Sequence, residues 1–316
     1  MTASGLPAFN PATTLTTQSM TNRDLNLFSN HVLMVRPSGF YGNPETKTDN
    51  HFQENISSAE LADQAMKEFE RMVEMLHQAG IETTVFDCND GIDTPDAVFP
   101  NNWFSAHRNG TIVLYPMKAP NRRRERREVI IEWLSSKYEK LLDLSPSESS
   151  GRYLEGTGSL VLDRQHRIAF AAVSERTDPT LVTAWCEQTD YRPCLFKAFD
   201  RDGKPVYHTN VVLSIGHGFT LAALDCIVDE SERNAVQDLL KTDDRTIVRL
   251  SIDQLHAFAG NGLQLTDATG IPVFILSKTG WNSLNESQRQ SISSRTKVVI
   301  PDVPVIERIG GGSVRC

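Results

Sequence analysis

Cysteine is scarce in this chain, and no pair of cysteines has a recognisable spacing. The 316 residues hold five, at positions 88, 186, 194, 226 and 316, with no CxxC pair and an odd count. That excludes a disulfide framework and a structural zinc site, and it fits reduced thiols in a cytoplasmic protein. No apolar run approaches the length needed to span a membrane. The first residues, MTASGLPAFNPATTLTTQSMTNRDLN, lack the positive and apolar regions of a secretory signal. Their Thr, Ser, Asn and Pro content predicts a mobile tail over 1–30. Positive charge is also short, with 32 Lys and Arg against 40 Asp and Glu and a formal net charge of −8. A nucleic-acid surface is therefore not expected. The one basic run, NRRRERRE from Asn121, opens an apolar-periodic segment and reads as the solvated face of a helix.

What the chain does have is a module that returns. Helical periodicity begins near Ser57, where Ser57 and Glu60 offer a capping box, and ends at Gly80. Its apolar positions Leu61, Ala65, Phe69, Met72, Val73 and Leu76 share one face. Four further helical patterns cover about 122–138, 178–188, 229–241 and 282–295. Taking the starts as 58, 122, 178, 229 and 282, the helices are 64, 56, 51 and 53 residues apart. Between them lie short β-branched runs such as TIVLYP, RIAFAAV, NVVLSIG, FTLAAL and PVFIL, punctuated by turn signals. One helix and about three strands every 55 residues or so predict a repeat architecture closed into a fivefold ring. The strand HVLMVRP would complete the unit begun by the last strands. A single domain is thus predicted over 31–316, with loops from all five units converging on one axis.

Five stretches at strand ends or turns carry chemistry: NPETKTDNHFQ (43–53), PDAVFPNNWF (95–104), YLEGTGSLVLD (153–163), YHTNVV (207–212) and GGGSVRC (310–316). Together they supply a thiol, an imidazole, carboxylates and amides. A cysteine acts as a nucleophile in its thiolate form, and a nearby general acid and base makes that useful. Glu155 is positioned to orient and charge His208. Phe52 and Trp103 are candidates for the pocket floor or the core, and Arg36 and Arg315 for meeting a substrate carboxylate. Cys88, Cys186, Cys194 and Cys226 read as small buried hydrophobes.

Taken together, these stretches resemble the guanidino-group-modifying superfamily of amidinotransferases and arginine deiminases. The resemblance runs from about His31 to Cys316. LEGTGSLVLD resembles that family's Glu-containing glycine turn, YHTN its His-x-Asp, and GGGSVRC its glycine-rich loop before the catalytic cysteine. The branch of citrulline-utilisation hydrolases is the most similar. The resemblance implies an α/β pentein fold, a propeller of five ββαβ blades with pseudo-fivefold symmetry. It further implies that Cys316 is the nucleophile, His208 the acid and base, and Glu155 its carboxylate partner. Asn102, Asn210, Asp96, Asn101, Glu45 and Asn43 are the expected substrate contacts. No metal or other cofactor is expected.

Two departures bear on the substrate. Deiminases of this superfamily have aspartate where VFPNNW has Asn102, and many members have it where HTN has Asn210. An amide is both donor and acceptor, which suits a neutral urea better than a guanidinium. The expected reaction is therefore hydrolysis of a ureido or guanidino C–N bond in a small amino acid, with citrulline the first candidate. It would yield ornithine, ammonia and carbon dioxide. Arginine or methylarginine hydrolysis and amidinotransfer are the alternative reactions, and a pentein-fold binding module the non-catalytic one. The expected partner is the small-molecule substrate, with no nucleic acid and no membrane, and a homodimer is left open. In relatives a strand follows the cysteine. A free carboxylate at Cys316 would raise the thiol pKa.

Overall fold

A computed structural model describes residues 27–54 and 56–316. The predicted tail thus falls mostly outside the described residues, and only 27–30 can be compared with it. Strand β1 (His31–Val35) runs parallel to β2 (Glu82–Phe86), joined by the helix Ala59–Gln78. The next four units repeat one plan. A short first strand pairs antiparallel with a central strand, and a crossover containing a helix returns the chain parallel to that central strand. The strands are β3 (Phe104–Ala106), β4 (Thr111–Leu114) and β5 (Lys140–Asp143) in the first of these units. In the second they are β6 (Val161–Asp163), β7 (Ile168–Ala172) and β8 (Arg192–Phe196). The third has β9 (Leu213–Gly216), β10 (Phe219–Ala222) and β11 (Thr246–Arg249). The fourth has β12 (Leu263–Thr266), β13 (Pro272–Ile275) and β14 (Lys297–Val299). Four sheets are three-stranded, and the β1–β2 sheet has two strands among the described residues. No described strand fills the place beside β1 that β3, β6, β9 and β12 fill beside their central strands.

The helix Ala59–Gln78 illustrates how the pattern becomes packing. Its face of Ala65, Phe69, Val73 and Leu76 is buried, and the first three pack with Val305, Ile306 and Ile309. Each of the larger side chains removed from water contributes about 1.5–3 kcal/mol. The helix starts one residue later than its expected cap: Ser58, in extended backbone, accepts the N–H of Leu61 at 3.1 Å. Ser57 therefore makes no capping box. Gly80 ends the helix with φ +81°, as the sequence predicts.

Four other expectations need correction. The helix over 122–138 is two pieces, Pro120–Arg123 and Glu128–Lys137, because buried side-chain bonds hold 124–127 in another conformation. The helix over 282–295 is likewise divided, into Lys278–Ser283 and Glu286–Ser293. Asn285 caps the second piece with a capping box. In NVVLSIG, Thr209–Val212 is a helical turn and only Leu213–Gly216 is strand. The basic run is not a solvated face either. Asn121, Arg122, Glu125 and Arg127 are all buried, with Arg122 only 2% exposed. Among the described residues no helix is long and apolar enough to cross a membrane.

Candidate active site

The repeat itself gathers the polar residues. Each three-stranded unit opens on a short turn that leads into its first strand. Pro100–Asn102 precedes β3, Gly156–Ser159 precedes β6, and Thr209–Val212, capped by His208, precedes β9. Asn261 occupies the corresponding place ahead of β12. GGGSVRC, which leads into no described strand, ends at the same site, and several buried contacts hold it. Glu68 accepts the N–H groups of Val305 and Ile306 at 3.0 Å, fastening the start of the helix Pro304–Gly310. Gly311, with φ +65°, ends that helix, a backbone shape that glycine adopts without strain. Asn50 Nδ2 donates to Gly310 O at 3.2 Å, and Tyr207 Oη donates to Gly311 O. Ser313 Oγ donates to Glu307 at 2.6 Å, and Cys316 N donates to Ser313 O at 2.9 Å.

Two amides meet the half-buried sulfur at the end of this segment. Asn261 Nδ2 is 3.2 Å from Cys316 Sγ, and Asn210 Nδ2 is 3.5 Å from it. Asn261 also donates to Asn210 O at 3.1 Å and accepts from Arg315 N at 3.2 Å, so it fastens both neighbours. Burial pushes the Cys316 thiol up, against hydrogen bonds from Ser313, Asn261 and Asn210 and the charge of Arg315.

His208 lies on the same turn as Asn210. Its Nε2 sits 2.9 Å from Glu155 Oε2, and both residues are buried. Burial would push the Glu155 carboxyl up. The Arg176 charge and the hydrogen bond and charge of His208 instead hold it well below the carboxylate range. Its other oxygen accepts Lys118 N at 3.1 Å. Burial pushes the His208 imidazole below its usual value, and Glu155 only partly restores it. The imidazole is therefore neutral near pH 7 in the resting site, as is the thiol.

The remaining predicted contacts divide into two groups. Asp96 and Asn102 are buried beside Arg122, whose Nη1 donates to Asn102 Oδ1 at 2.7 Å and whose Nε lies 3.8 Å from Asp96. Asn43 donates to Asp96 at 2.7 Å and exchanges hydrogen bonds with Asn121. Asn101 is buried at both polar atoms, with no hydrogen-bond partner. Asp96 Oδ1, Asn102 Nδ2 and Asn210 Oδ1 are also buried without partners, leaving donors and acceptors free for a ligand. Glu45 stands apart: it is exposed, and its carboxylate accepts Asn121 N at 2.8 Å. Arg36 pairs with the exposed Glu70, and Arg315 points at the carbonyls of Leu213 and Gly262. Trp103 is core, packed with Ile112, Leu114 and Met117.

A cavity of about 1410 Å³ reaches Cys316, Asn101 and Thr157, while His208, Glu155, Asn102 and Asn210 do not line it. The hydrogen-bonded polar set, rather than the cavity, defines the candidate site. Among the described residues no group of three or more His, Cys, Asp or Glu side chains could hold a metal ion.

Sequence reading missed Arg122, Arg176 and Asn261. Arg176 links Glu155, at 3.4 Å, to Asp49, which Lys118 also contacts at 2.8 Å. Asn261 had a usable signal, its place ahead of β12 in the repeat.

Comparison with known proteins agrees with the fold and the superfamily. The family model for N,N-dimethylarginine dimethylhydrolase, eukaryotic, matches residues 36–316. The chain belongs to that family, within the pentein guanidino-modifying hydrolases, enzymes that act on guanidino C–N bonds. A search of curated proteins finds no match. Among solved structures, the N-terminal domain of ArgZ with bound substrate superposes with a TM-score of 0.69 at 17% identity. That match covers 90% of this chain and 95% of the domain, and ArgZ is described as an arginine dihydrolase from the ornithine–ammonia cycle in cyanobacteria. Full-length ArgZ matches with a TM-score of 0.70 at 16% identity over 90% of this chain, which spans 40% of the ArgZ chain. DDAH from Pseudomonas aeruginosa, solved with citrulline, gives 0.61 at 15% identity, covering 90% and 96% of the two chains.

Proposed function

We propose that this protein is a cysteine-dependent hydrolase of a ureido carbon, with citrulline its leading substrate, and that its five units close around one axis. The observation that carries the substrate choice is the pair of amides at the sulfur: Asn210 and Asn261 approach Cys316 Sγ as carboxamides. In the proposed reaction, neutral His208 accepts the Cys316 proton as the sulfur attacks the ureido carbon. The imidazolium, stabilised by Glu155, gives that proton to the departing δ-amine and ornithine leaves. The cysteine then carries a carbamoyl group. His208 takes a proton from water, the resulting hydroxide attacks the thioester carbon, and the proton returns to sulfur. Carbamic acid is released and decomposes to ammonia and carbon dioxide, so one water is consumed overall.

Arginine is the second reading, favoured by Asp96, whose Oδ1 is a buried carboxylate oxygen without a partner. The structural neighbours described as arginine dihydrolases support it too. Arginine would take two hydrolytic steps, the first releasing one ammonia to leave the ureido compound and the second following the reaction above. Purified protein offered each amino acid tests the reading. Ornithine and ammonia from citrulline are expected, and Asn102→Asp should improve arginine relative to citrulline. Citrulline accumulating from arginine, with added citrulline untouched, would overturn the proposal.

A further inference from the structure

The orientation of one amide decides what Asn102 can offer a ligand. Arg122 Nη1 lies 2.7 Å from Asn102 Oδ1. A guanidinium has only donors, so the amide atom facing it must be the oxygen. The other amide atom, Nδ2, is then turned away, and it is buried with no partner. A Cβ built on Gly158 would lie 2.5 Å from that nitrogen and 2.8 Å from His208 Nδ1. The free N–H group and the imidazole nitrogen opposite the Glu155 contact thus both lie close against Gly158.

Arg122 has little freedom to let the amide turn. Its Nε and Nη2 make two bonds to Glu125, at 2.8 and 3.0 Å, and Nη2 also donates to Phe99 O at 3.1 Å. Arg122 and Glu125 are 2% and 3% exposed. Such a bidentate pair fixes direction as well as distance. Turning the Asn102 amide over would set its NH₂ against the guanidinium and lose the bond.

We propose that Arg122 is a positioning residue that locks Asn102 with its N–H outward, and that this donor makes the site favour a substrate bearing an acceptor. A ureido oxygen is such an acceptor, and a guanidinium has none. A carboxylate at 102 would reverse the preference, since it would pair with Arg122 and present only acceptors. This inference rests on the ureido reading above and adds a residue outside the predicted site to it.

Binding measured by calorimetry in the Cys316→Ala background separates the two ideas without turnover, using citrulline and arginine as probes. The background should bind citrulline more tightly than arginine. Arg122→Gln should reduce that preference about tenfold, mainly by weakening citrulline, as expected for a buried donor no longer aimed at its acceptor. Arg122→Lys still offers a donor to Oδ1 and should keep the preference. If Arg122→Gln does not fold, the paired change Arg122→Gln with Glu125→Gln removes both buried charges and should give the same loss. A background that prefers arginine would sink the ureido reading. A background that prefers citrulline, with both ligands weakened equally by the Arg122 changes, would leave that reading intact and overturn this inference.

Discussion

Glu155 Oε2 stands 2.9 Å from His208 Nε2, and the same oxygen lies 3.4 Å from Arg176 Nη1. The carboxylate is held ionised by the arginine and in turn supports the imidazole. Burial outweighs that support and leaves His208 below its ordinary value of 6.5. In the proposed reaction the neutral imidazole accepts the thiol proton, so the rate should be lost only as pH falls through this lowered value. The acid limb of kcat/KM should therefore lie below pH 6.5. Glu155→Gln removes a group that raises the His208 pKa and should move the limb to still lower pH. A pH–rate profile whose acid limb moves upward in this variant contradicts the assignment.

Asn261 should matter although it belongs to none of the stretches first singled out. Asn261→Ala removes a donor to the sulfur and the bonds to Asn210 O and Arg315 N. A hydrogen bond to a charged group is worth about 1.5–3 kcal/mol, so kcat/KM should fall about 10- to 100-fold. Asn261→Asp should be worse, because a carboxylate at the sulfur disfavours the thiolate and raises the thiol pKa further. Thiol alkylation rates across pH measure this directly. An Asp variant that alkylates as fast as wild type at neutral pH would remove Asn261 from the account.

Gly158 is needed for space rather than for backbone freedom. Its added methyl would sit 2.5 Å from Asn102 Nδ2 and 2.8 Å from His208 Nδ1, closer than real side chains approach. Gly158→Ala must displace one of the two. Displacements of about 1 Å cost on the order of 100-fold in rate, so a loss of that size is expected with the fold retained. Kinetics paired with a thermal melt check this, and near-normal turnover would show that the close packing at Gly158 is not part of the working site.

The sequence disclosed the elements with strong local signals. The helical periodicity over 178–188 and 229–241 and the terminal Gly80 act within a few residues, and they appear in the structure as the helices Pro179–Thr189 and Glu230–Leu240 and the turn that ends the first helix. The His208–Glu155 pair was legible because two distinctive stretches carry it. Arg122 was not legible, because a run of seven charged residues among eight looks solvated until its tertiary partners are known. Asn102, Phe99 and Glu125 together satisfy that arginine's donors, and only Glu125 is local in sequence. The break after Arg123 has the same origin: buried contacts made by Arg122, Glu125 and Arg127 override a periodicity that continues through them. Asn261 was hidden for another reason. Its stretch, FAGNG, lacks a titratable side chain, and only the equivalence of the turns ahead of β3, β6, β9 and β12 marks it.

The central claim is that Cys316 attacks the ureido carbon and carries the carbamoyl group. Mixing the wild-type protein with citrulline, quenching in acid during turnover and mapping peptides by mass spectrometry tests it most directly. The account predicts a mass increase of one carbamoyl group on the peptide ending in Cys316, absent when Cys316 is replaced by Ala. A carbamoyl group found on another residue, or citrulline turnover undiminished by Cys316→Ala, would contradict it.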